Sequence, residues 1–350
     1  MYNIDRLYEA VSAKGHVCVG LDTAPDYIPP VSRRRSSSDA EAVLAYNRAI
    51  INATADIAAC YKVQIAYYEA LGRAGLDAYA QTLAMLREKK SLVIADIKRG
   101  DIADTALQYA KAHFEGDFEA DFVTLSPYMG MDSIEPWIAF AENKGKGAFV
   151  LLRTSNKGMR DFQYLELREE SFTDSSDKER EDNRDCDDSG NCVLPSASAF
   201  PEGKRRLCVK KIQNNFEPRR LCHAVGDRLA ALADRYCGSY GYGAFGAVVG
   251  ADPKSDSEKK EAAAIRERYS NLFFLIPGYG AQGGAAEDAA LLLKDGNGGV
   301  VNASRSVLKA WTAKTEKDGL RAEPDIDFAS EAAREAVVIM RDAIRAAVKK

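Results

Sequence analysis

The 350-residue sequence predicts a (β/α)8 barrel, the TIM-barrel class, built as a single α/β domain over residues 1–350, and three observations carry that reading. Eight short apolar runs rich in β-branched and aromatic residues recur along the chain, most are followed by an amphipathic stretch of helical period, and no domain linker separates them. Strands alternating with helices call for a parallel sheet. Eight such units close into a barrel whose functional face lies at the C-terminal ends of the strands.

Taken in order, the first run, 16–22, ends on Asp22 and precedes the helical stretch 39–56. The second, 58–62, ends on Lys62 ahead of helix 67–88, and the third, 91–98, carries Asp96 and Lys98 ahead of helix 102–114. The fourth, 121–126, ends on Ser126 before helix 132–143. The fifth, 147–155, ends on Thr154 and Ser155, and its helix, 227–236, arrives only after a long interruption. Runs six and seven, 245–250 and 271–278, precede helices 258–269 and 285–294. The eighth, 298–305, ends on Ser304 and Arg305, and a final helix over 328–348 closes the chain. A purely structural barrel does not require so many polar and charged residues at its strand ends.

The interruption, 158–220, is acidic over 169–189 and then basic over 204–220. A loop of this length in a compact domain is either functional or poorly ordered, and the charge blocks favour solvent, so a surface insertion is expected. A partner-binding or regulatory appendage is the alternative. The cysteines divide along the same line. Cys18 and Cys60 lie in apolar strands and read as packing residues, while Cys186, Cys192, Cys208 and Cys222 cluster in or beside the polar segment, with His223 adjacent to the last and Cys237 beyond. A disulfide or metal clip among those four is the less favoured reading.

Composition excludes several classes of function. No apolar run approaches the roughly 18 residues needed to span a bilayer, and a net charge of −4 gives no electrostatic reason to expect nucleic acid. Residues 1–15 carry charges and lack the apolar core of a secretory signal, so a cytoplasmic protein is expected.

The chemistry is concentrated in the third run, Val93-Ile94-Ala95-Asp96-Ile97-Lys98-Arg99-Gly100-Asp101. Alternate residues of a strand share a face, so Asp96 and Lys98 both point into the barrel mouth, with Asp101 just beyond at a helix start. Charges of alternating sign inside an apolar strand are costly to bury unless each holds the next in its ionised form. On these residues alone, a catalytic cluster and a structural ion-pair network are both open readings.

The pattern Asp96-x-Lys98-x-x-Asp101 resembles the signature of the orotidine 5′-phosphate decarboxylase superfamily. That superfamily includes Mg²⁺-dependent sugar-phosphate lyases with the same signature, and Lys62 at the end of the second strand resembles the decarboxylase branch, completing its Lys-Asp-Lys-Asp tetrad. Further similarity spans the chain. Val19-Gly20-Leu21-Asp22 resembles the strand whose aspartate binds ribose hydroxyls, and Leu152-Arg153-Thr154-Ser155-Asn156 the segment that contacts the pyrimidine. Ile276-Pro277-Gly278-Tyr279-Gly280-Ala281-Gln282-Gly283-Gly284 and Asn302-Ala303-Ser304-Arg305 resemble the phosphate-holding segments after strands seven and eight. The wording resembles the longer bacterial subgroup, from whose usual compact relatives the 158–220 insertion departs.

The resemblance implies that orotidine 5′-phosphate is converted to UMP and CO2 without metal or other cofactor. Lys98 would stabilise the C6 carbanion and deliver the proton, Asp96 would face the departing carboxylate, and Lys62 and Asp101 would align and balance the charges. It implies substrate contacts at Asp22, Ile102, Thr105, Thr154, Ser155, Pro277, Gln282, Ser304 and Arg305. It also implies a homodimer in which Asp101, Ile102 and Thr105 serve the neighbouring subunit's site. The alternatives are a Mg²⁺-dependent sugar-phosphate lyase of the same superfamily and a non-catalytic nucleotide-binding barrel.

Overall fold

The computed structural model describes residues 1–167, 219–251, 253, 255–280, 285–318 and 323–349. The chain forms two compact units, Met1–Leu165 with Arg220–Lys350, and Glu166–Arg219. The centre of the first unit is a closed parallel barrel in sequential order, β1 (Val17–Gly20), β2 (Cys60–Gln64), β3 (Leu92–Arg99), β4 (Phe122–Leu125), β5 (Gly147–Arg153), β6 (Phe245–Val249), β7 (Phe274–Ile276) and β8 (Gly299–Ala303). Every expected strand is present. Closure is made by β1 against β8, with Val17 opposite Val301 and Val19 opposite Ala303.

The strands are near-continuous apolar runs because both faces are covered. Cys18, Cys60, Ile94, Phe122, Phe149, Val248, Phe273 and Val300 fill the barrel interior, while Val19, Tyr61, Val93, Val123, Val150 and Phe274 join the larger layer under the helices. Cys18 and Cys60 stand opposite each other and are buried free thiols, as their apolar settings indicated. Observed strands are mostly shorter than expected at the C-terminal end. In β7 the reason is chemical: Pro277 has no N–H for the ladder and Gly278 sits at φ +106°, a left-handed conformation that a side chain disfavours.

The helices around the barrel include α1 (Asn3–Lys14), α2 (Asp39–Thr54), α3 (Gly72–Glu88), α4 (Ala103–Phe114), α5 (Glu135–Lys144), α6 (Leu221–Arg235), α7 (Asp256–Arg268), α8 (Ala286–Ala290) and α9 (Ile326–Val348). Ser38 caps α2 by accepting the Glu41 N–H, and Ser255 caps α7 by accepting that of Glu258. The single helix expected over 67–88 is two, Ala66–Glu69 and α3, because the chain turns at Gly72 with φ +66°. Cys222 belongs not to the polar segment but to α6, where it is buried. Cys186, Cys192 and Cys208 lie outside the described residues. Met159–Phe162 is a helical turn, and Leu221 donates its backbone N–H to the Leu165 carbonyl, so the barrel unit reaches into both ends of the expected 158–220 insertion.

Helix α1 is an element the strand–helix rhythm does not announce. Ile4, Leu7 and Val11 recur on one face and enter the interior cluster, and Arg6 pairs with Asp121 just ahead of β4. It therefore closes the N-terminal end of the barrel and leaves the other end open. Among the described residues no helix is long and apolar enough to cross a membrane.

Candidate active site

At the C-terminal ends of β1, β2, β3 and β8 the structure assembles a line of alternating charges. Lys62 Nζ lies 2.9 Å from Asp22 Oδ1 and 2.8 Å from Asp96 Oδ2, and Lys98 Nζ lies 2.6 Å from Asp96 Oδ1. Two ammoniums and two carboxylates make the line neutral as a whole. Ser304 Oγ donates to Asp22 Oδ2 at 2.8 Å and accepts from Asn302 Nδ2 at 3.3 Å, which ties the end of β8 to the same chain. Gly20 makes that approach possible, since a Cβ there would stand 2.0 Å from Ser304 Oγ.

Asp96 is the hub. Besides the two lysines, Gln64 Nε2 donates to its Oδ2 at 3.0 Å and Thr124 Oγ1 to its Oδ1 at 2.7 Å. Burial by itself would favour the neutral acid, but Lys62 and Lys98 outweigh it and hold the carboxyl far below the usual carboxylate range. Burial likewise opposes the Lys62 ammonium, and Asp22 and Asp96 reverse that, holding it well above the usual lysine range. Each ion is thus kept charged by its neighbours. Taking such groups out of water costs several kcal/mol apiece, so the cluster is a weak stabilising device.

The two lysines differ in access. The Lys62 side chain is 6% exposed and that of Lys98 47%, so Lys98 presents the ammonium that an incoming ligand meets. Lys98 stands in the left-handed region at φ +46°, inside the register shift between β3 and β4. The expected strand alternation therefore orients Asp96, whereas a bulge presents Lys98.

The remaining expected residues fall into three groups. Asp101, Ile102 and Thr105 lie at the surface around the start of α4; Asp101 Oδ1 accepts the Ile102 backbone N–H at 2.9 Å and is in no ion pair with Lys62 or Lys98. Within one chain the tetrad is thus incomplete, with Asp22 in the place on Lys62 opposite Asp96. Thr154, at the end of β5, is held by Gln163, which accepts its backbone N–H at 2.9 Å and donates to its Oγ1 at 2.9 Å, and Ser155 packs on Gly250. Of the residues expected at the phosphate, the Pro277 carbonyl accepts from Ala251, Ser304 joins Asp22, and Arg305 is exposed. Gln282 lies outside the described residues.

Sequence reasoning missed Gln64 and Thr124. Gln64 follows Lys62 by two residues and so shares its face, a signal that was available. Thr124 had none, being the polar member of an otherwise apolar strand. Among the described residues no three His, Cys, Asp or Glu side chains gather as a metal site.

The sequence model of the Orotidine 5′-phosphate decarboxylase / HUMPS family matches residues 15–205. An orotidine 5′-phosphate decarboxylase of Clostridium perfringens strain SM101 is 46% identical over 346 residues, 99% of each chain. One from Clostridium kluyveri is 45% identical over 341 residues, 97% of this chain and 96% of its own. Among solved structures, that of Leishmania donovani OMP decarboxylase superposes with a TM-score of 0.62 at 27% identity, covering 98% of this chain and all of the other.

Proposed function

The chain belongs to the orotidine 5′-phosphate decarboxylase family, and on that premise we propose that the line Asp22–Lys62–Asp96–Lys98 is the centre at which it converts orotidine 5′-phosphate to UMP and CO2. The observation that carries the assignment is the exposed Lys98 ammonium held 2.6 Å from a buried, fully hydrogen-bonded Asp96.

Loss of CO2 from C6 of the pyrimidine leaves a carbanion in the ring plane that no resonance relieves. Stabilisation has to be electrostatic and already in place, because mobile water reorganises at a cost that fixed charges avoid. Lys98 supplies the cation beside C6 and then its proton. Asp96 faces the departing carboxylate; its charge cannot be relieved by protonation while Lys62 and Lys98 flank it, so the ground state is repelled and the neutral product is not. Asp22 takes the ribose hydroxyls, Thr154 and Ser155 the pyrimidine, and Pro277, Gln282, Ser304 and Arg305 the phosphate end. Binding energy from the phosphate is available to hold the base against the charges.

The same proposal includes a cytoplasmic enzyme of one barrel domain with an insertion, working as a homodimer without metal or organic cofactor. Asp101, Ile102 and Thr105, which face out of their own chain, would complete the neighbouring site. A Mg²⁺-dependent lyase is the less fitting reading, because a divalent cation on Asp96 would stand against two ammoniums. The test follows the ultraviolet absorbance of orotidine 5′-phosphate with and without EDTA. Wild-type protein is expected to consume substrate equally in both, and Lys98→Ala to be slower by roughly 10³-fold or more. No consumption by well-folded wild-type protein would overturn the assignment.

A further inference from the structure

The third strand does not finish as a regular strand. β3 and β4 are in register at Ala95 with Val123 and again at Arg99 with Leu125, so Asp96, Ile97 and Lys98 stand opposite the single residue Thr124. A bulge of this kind leaves backbone donors without the carbonyls a ladder would supply. Here a side chain takes them. Thr124 Oγ1 accepts the Ile97 and Lys98 backbone N–H groups, each at 3.0 Å. A hydroxyl has two lone pairs and one proton, so with both lone pairs engaged the proton is directed to its remaining partner, Asp96 Oδ1, at 2.7 Å. Thr124 is 1% exposed, which leaves no room for water to compete for these bonds.

On the reading that Asp96 and Lys98 form the reaction centre, we propose that Thr124 is a positioning residue for the decarboxylation, locking the bulge that presents Lys98 and aiming the Asp96 carboxylate. It touches no reacting atom and acts through these two residues. Its hydroxyl offsets the left-handed backbone of Lys98, a conformation that persists only where its surroundings over-determine it. One oxygen thereby couples the placement of the carboxylate to that of the ammonium, which strand geometry alone does not.

Thr124→Val keeps the shape and removes the hydroxyl. Its kcat is expected to fall about ten- to a hundredfold, the range for one hydrogen bond to a charged group, with KM and UMP affinity within about threefold of wild type. The charged groups facing Asp96 are Lys62 from β2 and Lys98 from β3, with Asp22 reached through Lys62, and all remain in the variant. Thr124→Ser is expected to recover most of the kcat. Wild-type kcat in Thr124→Val, or a fall in UMP affinity as large as the fall in kcat, would overturn the proposal, as would a Ser variant no better than Val, since the methyl and not the hydroxyl would then matter. If Thr124→Val does not fold, as read by circular dichroism, Thr124→Ala against Thr124→Ser carries the same comparison. Lys98→Ala is assayed alongside: an active Lys98→Ala means the reaction centre is misassigned, whereas an inactive one beside a fully active Thr124→Val removes Thr124 alone.

Discussion

Asp96 and His113 show burial acting on titratable groups with opposite results. Asp96 is surrounded by cations and donors and stays ionised; His113 is buried with Nδ1 unpartnered, and desolvation, aided by Arg99, pushes its pKa down to about 4. A histidine whose folded-state value lies below its unfolded value near 6.5 stays neutral in the fold while the unfolded chain takes up the proton. Its contribution to stability is therefore lost as pH falls from about 6.5 to 4, by roughly 2–3 kcal/mol in all. His113→Leu is expected to flatten the fall of Tm over that window relative to wild type. Parallel Tm–pH profiles would show that His113 does not titrate in this way.

Among the elements, α1 and the end of β3 play complementary parts at opposite ends of the barrel. Helix α1 is a plug: Leu7, 0% exposed, joins Ile4 and Val11 against the interior residues of the strands. Leu7→Ala is expected to lower unfolding stability by about 2–5 kcal/mol, measured by urea melts, while kcat well below the melting transition is unchanged. A loss of kcat in the folded variant would show that the plug shapes the mouth. The end of β3 is strained, with Lys98 at positive φ, and the first residue of α4, Ala103, is at positive φ as well. Most strands were legible to within a few residues because each is a continuous apolar run. The split of helix 67–88 and the bulge were not, since both depend on local backbone conformations that hydrophobic period does not report.

For the whole molecule, the consequence of the geometry is that one chain does not hold its tetrad together. Asp101 lies outside the line of charges, and Ile102 beside it is 46% exposed, as is expected of a surface that another copy covers. The Lys98→Ala and Asp101→Ala proteins are each expected to be nearly inactive. If sites are shared, mixing and re-equilibrating them places one unaltered site in each heterodimer and restores activity, up to about a quarter of wild type per subunit when chains mix at random, by counting under two-fold symmetry. Mixtures no more active than the separate variants would mean that Asp101 serves its own chain or none.

The sequence by itself determined the barrel, the strand ends at which charges collect, and the identities of Asp22, Lys62, Asp96 and Lys98, because apolar period and strand order survive in one dimension. Only the tertiary structure decided how those charges are satisfied. It put Asp22 rather than Asp101 on Lys62, brought Gln64 and Thr124 to Asp96, and stacked α1 beneath them. The physical reason is that an ion inside a protein is defined by its partners, and apart from Lys98, two residues from Asp96 on the same strand, those partners come from other strands, 28 to 40 residues away for Thr124, Gln64 and Lys62 on Asp96 and Asp22 on Lys62, and 282 residues away where Ser304 meets Asp22.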